Sequence, residues 1–193
     1  FTYFVLDQQY DTDGSMIQVG EQASIDINND GVDEVFFVAF AVQRNTLSTY
    51  GSTSVHIFGW ENNVFKEITS TWLPGISNQV EGVGDLVFGD FNGDGKIDVF
   101  LSAYTDTDVD VNAYALMNTG SSFTKVSLGL ARWQHGVASA DINRDGFDDV
   151  IIAGYANFPQ YMGSATGLVP YSGMVGSSGV AVGDFLGTGT AQA

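Results

Sequence analysis

Asp90-Phe91-Asn92-Gly93-Asp94-Gly95-Lys96-Ile97-Asp98 is written twice more in this chain with small changes. The copies are Asp26-Ile27-Asn28-Asn29-Asp30-Gly31-Val32-Asp33-Glu34 and Asp141-Ile142-Asn143-Arg144-Asp145-Gly146-Phe147-Asp148-Asp149. Oxygen-bearing side chains fall at positions 1, 3, 5 and 9 of every copy, and glycine falls at position 6. Alternate side chains of a tight loop point inward and glycine permits the sharp turn, so this spacing wraps a hard cation in oxygen. The helix-flanked loop built on the same logic needs a glutamate at position 12. Here that position is Phe37, Leu101 or Ile152. Apolar, β-branched and aromatic residues follow each copy, as in Asp98-Val99-Phe100-Leu101, and read as strands.

Recurrence at tens of residues marks a solenoid or propeller. The loops begin at Asp26, Asp90 and Asp141, and a worn fourth copy begins at Asp184. In that copy Leu186, Thr188 and Gln192 stand where the oxygen donors should be, so it is expected to hold no metal. Each unit reads as a Gly-rich strand into the loop, an apolar strand out of it, a third strand, a tight turn and a fourth strand. In the first unit the later strands are Val55–Trp60 and Val64–Ile68, and in the second Ala113–Met117 and Phe123–Ser127. The units cover residues 16–70, 80–128 and 134–172, and another opens at 179. Four short antiparallel strands per unit predict an all-β β-propeller of four-stranded blades, with almost no helix. The region 1–193 reads as one propeller region. Three units are fewer than a closed ring of 4 to 8 blades, so further blades are expected from a longer polypeptide or a second chain.

The Asp-x-Asn-x-Asp-Gly-x-x-Asp loops, each followed by an apolar strand, resemble the FG-GAP or VCBS repeats over residues 16–190. Those are the calcium-loop blades of the integrin α-subunit propeller and of many bacterial extracellular proteins. The resemblance implies an extracellular or cell-surface setting. The same blades serve adhesins, lectins and polysaccharide lyases, so three functions stand open: a calcium-stabilised module recognising a glycan or protein surface, a lyase, and a structural spacer.

From the loop chemistry, three calcium ions are expected. The donors would be the side chains of Asp26, Asn28, Asp30 and Glu34, of Asp90, Asn92, Asp94 and Asp98, and of Asp141, Asn143, Asp145 and Asp149. The carbonyls of Val32, Lys96 and Phe147 would join them. The net charge is −17, with 6 Lys plus Arg, and 11 of the 23 acidic residues lie in the three loops. Such a chain has no basic stripe for nucleic acid. It has no cysteine, hence no disulfide framework or Cys-based zinc site, and no apolar run long enough to span a membrane as a helix.

A four-strand meander puts the cation loops at one end of each unit and the interblade links at the other. The links carry Trp72 and then Arg132-Trp133-Gln134-His135. These aromatics read either as sugar-stacking platforms, with Arg132 and His135 supplying directional hydrogen bonds, or as packing between blades. His135 beside Arg132 is the one acid/base pair the lyase reading offers. His56 reads as part of its strand. Asp106, Asp108 and Asp110 alternate, and fit either a further cation site or a solvated acidic edge.

Overall fold

The computed structural model describes residues 16–42, 50–76, 80, 82–104, 110–131, 133–154, 159–172 and 180–183. The fourth loop at Asp184, the N-terminal segment 1–5, Arg132, Asp106 and Asp108 lie outside them.

The described chain forms three four-stranded antiparallel sheets, each a meander in chain order. The first holds β1 (Met16–Ile25), β2 (Glu34–Val42), β3 (Tyr50–Glu61) and β4 (Val64–Glu67), followed by the four-residue helix α1 (Thr69–Trp72). The second holds β5 (Val83–Gly89), β6 (Asp98–Ala103), β7 (Val111–Asn118) and β8 (Phe123–Ala131). The third holds β9 (Gln134–Ala140), β10 (Asp149–Gly154), β11 (Gln160–Met162) and β12 (Val169–Tyr171). Four strands per unit and almost no helix match the expectation from sequence.

Two boundaries differ from it. Tyr50–Ser54 belongs to β3 rather than to the connection before it, pairing back to Ala39 and Val42 on β2. The second interblade link, read from sequence as carrying Arg132 to His135, shrinks to residues 132–133, because β8 runs on to Ala131 and β9 starts at Gln134. The pairs Val111↔Ala131 and Gly154↔Gln134 extend both ladders, and pairing on this scale outweighs the turn propensity of Gly129.

The second strands sit deepest, since every residue of β6 and β10 is buried. Strand alternation lets β6 feed two cores at once. Val99 and Leu101 join Phe36, Ile57, Trp72 and Phe123 between the first and second sheets. Phe100 joins Val150, Ile152 and Tyr161 between the second and third. Phe36 is the hub of the first core, edge-on to Phe88 at 5.3 Å and to Phe123 at 5.9 Å. Side-chain bonds also join the leading strands of neighbouring sheets. The β5 ladder shifts register between Val83 and Leu86, and Asp85 within the shift accepts the Val137 N–H of β9 at 3.1 Å.

Candidate metal loops and the opposite end

The three loops adopt one conformation, which makes the repeated sequence a repeated structure. Position 4 is left-handed in each, with φ of 58° at Asn29, 71° at Gly93 and 65° at Arg144. Position 6 is left-handed too, with φ of 87°, 77° and 90° at Gly31, Gly95 and Gly146, which is why glycine recurs there.

Side-chain oxygens close each loop over its own backbone. The N–H of position 5 donates to oxygens of positions 1 and 3 together. For Asp30 the distances are 3.1 Å to Asp26 and 2.8 Å to Asn28. For Asp94 they are 3.0 Å to Asp90 and 3.0 Å to Asn92, and for Asp145 they are 3.1 Å to Asp141 and 2.9 Å to Asn143. The position-6 N–H donates to the other oxygen of position 1, at 2.8 Å from Gly31, 2.8 Å from Gly95 and 2.9 Å from Gly146. Position 7 donates to position 5, at 2.9 Å from Val32, 3.0 Å from Lys96 and 3.0 Å from Phe147. Oxygens of positions 1 and 3 therefore meet at one N–H, while the position-5 carboxylate closes the next step of the same turn.

Position 9 lies beneath the turn. Glu34, Asp98 and Asp149 are buried and accept the N–H of position 2, from Ile27 at 3.1 Å, Phe91 at 3.2 Å and Ile142 at 3.0 Å. Asp98 also accepts the Asn118 N–H at 2.7 Å, and Asp149 the Gly163 N–H at 2.9 Å. These acids tie the loop to the third strand of the sheet or its exit. Burial pushes the Asp98 carboxyl up to about 6 against the pull of its N–H partners, and the charges of Asp94 and Asp90 add to the rise. Burial likewise raises Glu34 and Asp149 above the usual range. On the turn the balance is reversed. Burial works upward on Asp26, but the N–H groups of Gly31, Asp30, Asn28 and Asn29 outweigh it and hold its carboxyl below the usual range. Asp94 is held down in the same way by Lys96 and Asn92.

This donor set fits a hard cation. It is all oxygen, it is partly converged, and an ammonium, Lys96 Nζ, already lies 2.7 Å from Asp94 Oδ2. Among the described residues no three acidic or histidine side chains form one cluster. Each loop offers two carboxylates and one amide oxygen on its turn, a carbonyl at position 7 and a carboxylate below.

Neighbouring loops interlock. Asp148 at position 8 of the third loop donates its N–H to the Asp90 carbonyl at 3.0 Å and accepts the Asp90 N–H at 2.9 Å. A Cβ at Gly93 would lie 2.7 Å from the Phe147 ring, so glycine there admits the neighbouring loop. The Asn118 amide donates to the Ile27 carbonyl of the first loop at 2.9 Å and to the Ile97 carbonyl at 3.0 Å. Sequence assigns no role to Asp148 or Asn118; their partners lie 58 and 91 residues away.

At the other end stand the expected ligand residues. Trp133 is half-buried with φ of 56°, a left-handed conformation forced on a bulky residue by the short link from β8 to β9. His135 is exposed and meets the Tyr104 ring edge-on at 4.8 Å. Gln134 between them is buried, with its amide oxygen 2.6 Å from the Ala103 N–H and its amide nitrogen without an acceptor among the described residues. Trp72 does not join this group. It is 6% exposed and packs on Phe123 at 5.5 Å, so it belongs to the core rather than to a binding face.

One hydrogen-bonded chain is not legible in sequence. Ser54 Oγ lies 2.9 Å from His56 Nε2, His56 Nδ1 lies 2.7 Å from Glu67 Oε1, and Thr69 Oγ1 donates to the same oxygen at 2.8 Å. It crosses from β3 to β4 while the imidazole stacks on Phe37 at 5.0 Å.

The FG-GAP-like repeat family matches residues 26–101 and again residues 90–152, more than half of the chain. The chain belongs to that family. No curated protein matches it. Among the described residues no helix is long and apolar enough to cross a membrane.

Proposed function

We propose that this chain is a stretch of calcium-stabilised β-propeller that works outside the cell as a recognition module for a glycan or protein surface. The observation that supports the calcium reading is the threefold repeat of one loop conformation, in which the side-chain oxygens of positions 1 and 3 share the position-5 N–H and the position-5 carboxylate accepts the position-7 N–H. Calcium is favoured over magnesium, because a flexible all-oxygen loop suits the larger ion and magnesium dehydrates reluctantly. Its role is structural: a bound cation neutralises carboxylates that otherwise repel, and holds the first strand of each sheet to the second. The propeller reading rests on family membership and on three successive meanders that share cores.

Recognition is assigned to the end opposite the loops, some seven residues of β9 away, roughly 23 Å. Trp133 supports this choice. A bulky, half-buried residue held left-handed between β8 and β9 marks a position where backbone strain is retained. An aromatic face there stacks on a sugar ring, and His135 adds a directional hydrogen bond.

The test is a glycan array probed with the whole chain, with calcium and with chelator, beside Trp133→Ala and His135→Ala. Calcium-dependent glycan binding that both variants weaken is the expected result. Binding that both variants leave intact moves the site elsewhere. Failure of the chain to take up calcium at millimolar concentration in native mass spectrometry removes the calcium reading.

A further inference from the structure

We infer that Lys96 makes the middle loop the weakest calcium site of the three, acting as an internal cation on Asp94. The inference rests on the calcium reading above and goes beyond it, because it separates loops that the motif treats as equal.

Position 7 contributes its backbone carbonyl to the donor set, so its side chain is not constrained by coordination. It is Val32 in the first loop, Phe147 in the third and Lys96 in the second. Lys96 Nζ lies 2.7 Å from Asp94 Oδ2, with both side chains about one-third exposed. Asp94 is one of the two carboxylates on the turn, and its other oxygen already accepts the Lys96 N–H at 3.0 Å. In the third loop the matching oxygen, Asp145 Oδ2, takes the neutral Asn143 amide at 2.9 Å. The lysine is two residues from its partner and cannot be diluted away. Its stem is placed as well: a Cβ on Gly120, in the turn between β7 and β8, would meet Lys96 Cε at 3.4 Å.

A divalent ion entering the middle loop therefore meets a carboxylate already paired with a positive charge. The ion pair must open, and the displaced ammonium remains close enough to repel. At a partly exposed site each effect is modest, and together they amount to roughly three- to tenfold in affinity. Arg144, at position 4 of the third loop, makes no ion pair among the described residues and serves as a control for charge alone.

Calcium titration of the whole chain by calorimetry at low salt tests this, on wild type, Lys96→Met, Lys96→Gln and Arg144→Gln. Wild type should show one weak and two tighter sites, with the weak phase absent in Asp94→Ala. Both lysine variants should strengthen the weak site three- to tenfold. Arg144→Gln should change it little. At high salt the gap between wild type and the lysine variants should narrow, as screening requires. Unchanged constants in both lysine variants, or a weak phase that survives Asp94→Ala, overturn the inference while the calcium reading stands. No calcium uptake by any variant overturns both.

Discussion

Asp148 and Asp90 hold each other by a reciprocal pair of hydrogen bonds across two sheets: the Asp148 N–H donates to the Asp90 carbonyl at 3.0 Å, and the Asp148 carboxylate accepts the Asp90 N–H at 2.9 Å. The second loop is thus held by the third from outside its own repeat. The carboxylate partner is part-buried. Asp148→Ala should therefore lower stability by about 1–2 kcal/mol, read from the urea midpoint. Asp33, at the same position of the first loop, is exposed, and Asp33→Ala should cost much less. Equal effects of the two substitutions would show that the interlock contributes nothing.

Chelation should lower the melting temperature markedly and calcium should restore it. One site contributes about 2.7 kcal/mol at a hundredfold excess over its dissociation constant, provided the unfolded chain does not bind. A melting curve that ignores chelator contradicts a structural role for the ion.

In chelator, stability should fall as pH rises from about 4 to about 6. The sign follows from Asp98, whose carboxyl is raised from 3.8 to about 6 by burial. Between those values the folded state holds a proton that the unfolded state has released, so raising pH favours unfolding. The raised carboxyls of Glu34 and Asp149 act in the same direction. Asp98 alone accounts for up to about 3 kcal/mol. Asp98→Asn should flatten the profile, and saturating calcium should remove it by favouring the charged form. Urea midpoints between pH 4 and 7 give the reading; a profile that rises across that window refutes it.

The two tryptophans should part company on substitution. Trp72→Ala empties a core position against Phe123 and should cost about 3–5 kcal/mol. Trp133→Gly relieves a left-handed backbone by up to about 1 kcal/mol, which offsets part of the loss of a half-buried ring, so it should cost much less than Trp72→Ala. A large loss in Trp133→Gly would show that this ring packs rather than binds.

Much of this protein is legible in its sequence, because the relevant facts are local. A nine-residue loop carries its own turn chemistry: glycine at position 6, and acceptors at 1, 3 and 5 for N–H groups at most five residues away. Alternation and β-branched runs are local as well, so four strands per unit could be counted before any contact was known. What only the tertiary structure decided depends on register and on neighbours far along the chain. Trp72 and Trp133 look alike as aromatic residues in links, yet one faces Phe123 and the other sits in a two-residue connection. Position 9 reads as one more oxygen donor, but burial and the N–H groups of Phe91 and Asn118 also make Asp98 a brace under the loop. The Ser54–His56–Glu67 chain required β3 and β4 to pair in one register, and the Asp148–Asp90 pair required two sheets to meet. A sequence states which groups each residue carries; which of them meet is set by packing, because sheet-to-sheet contacts join residues that no local rule connects.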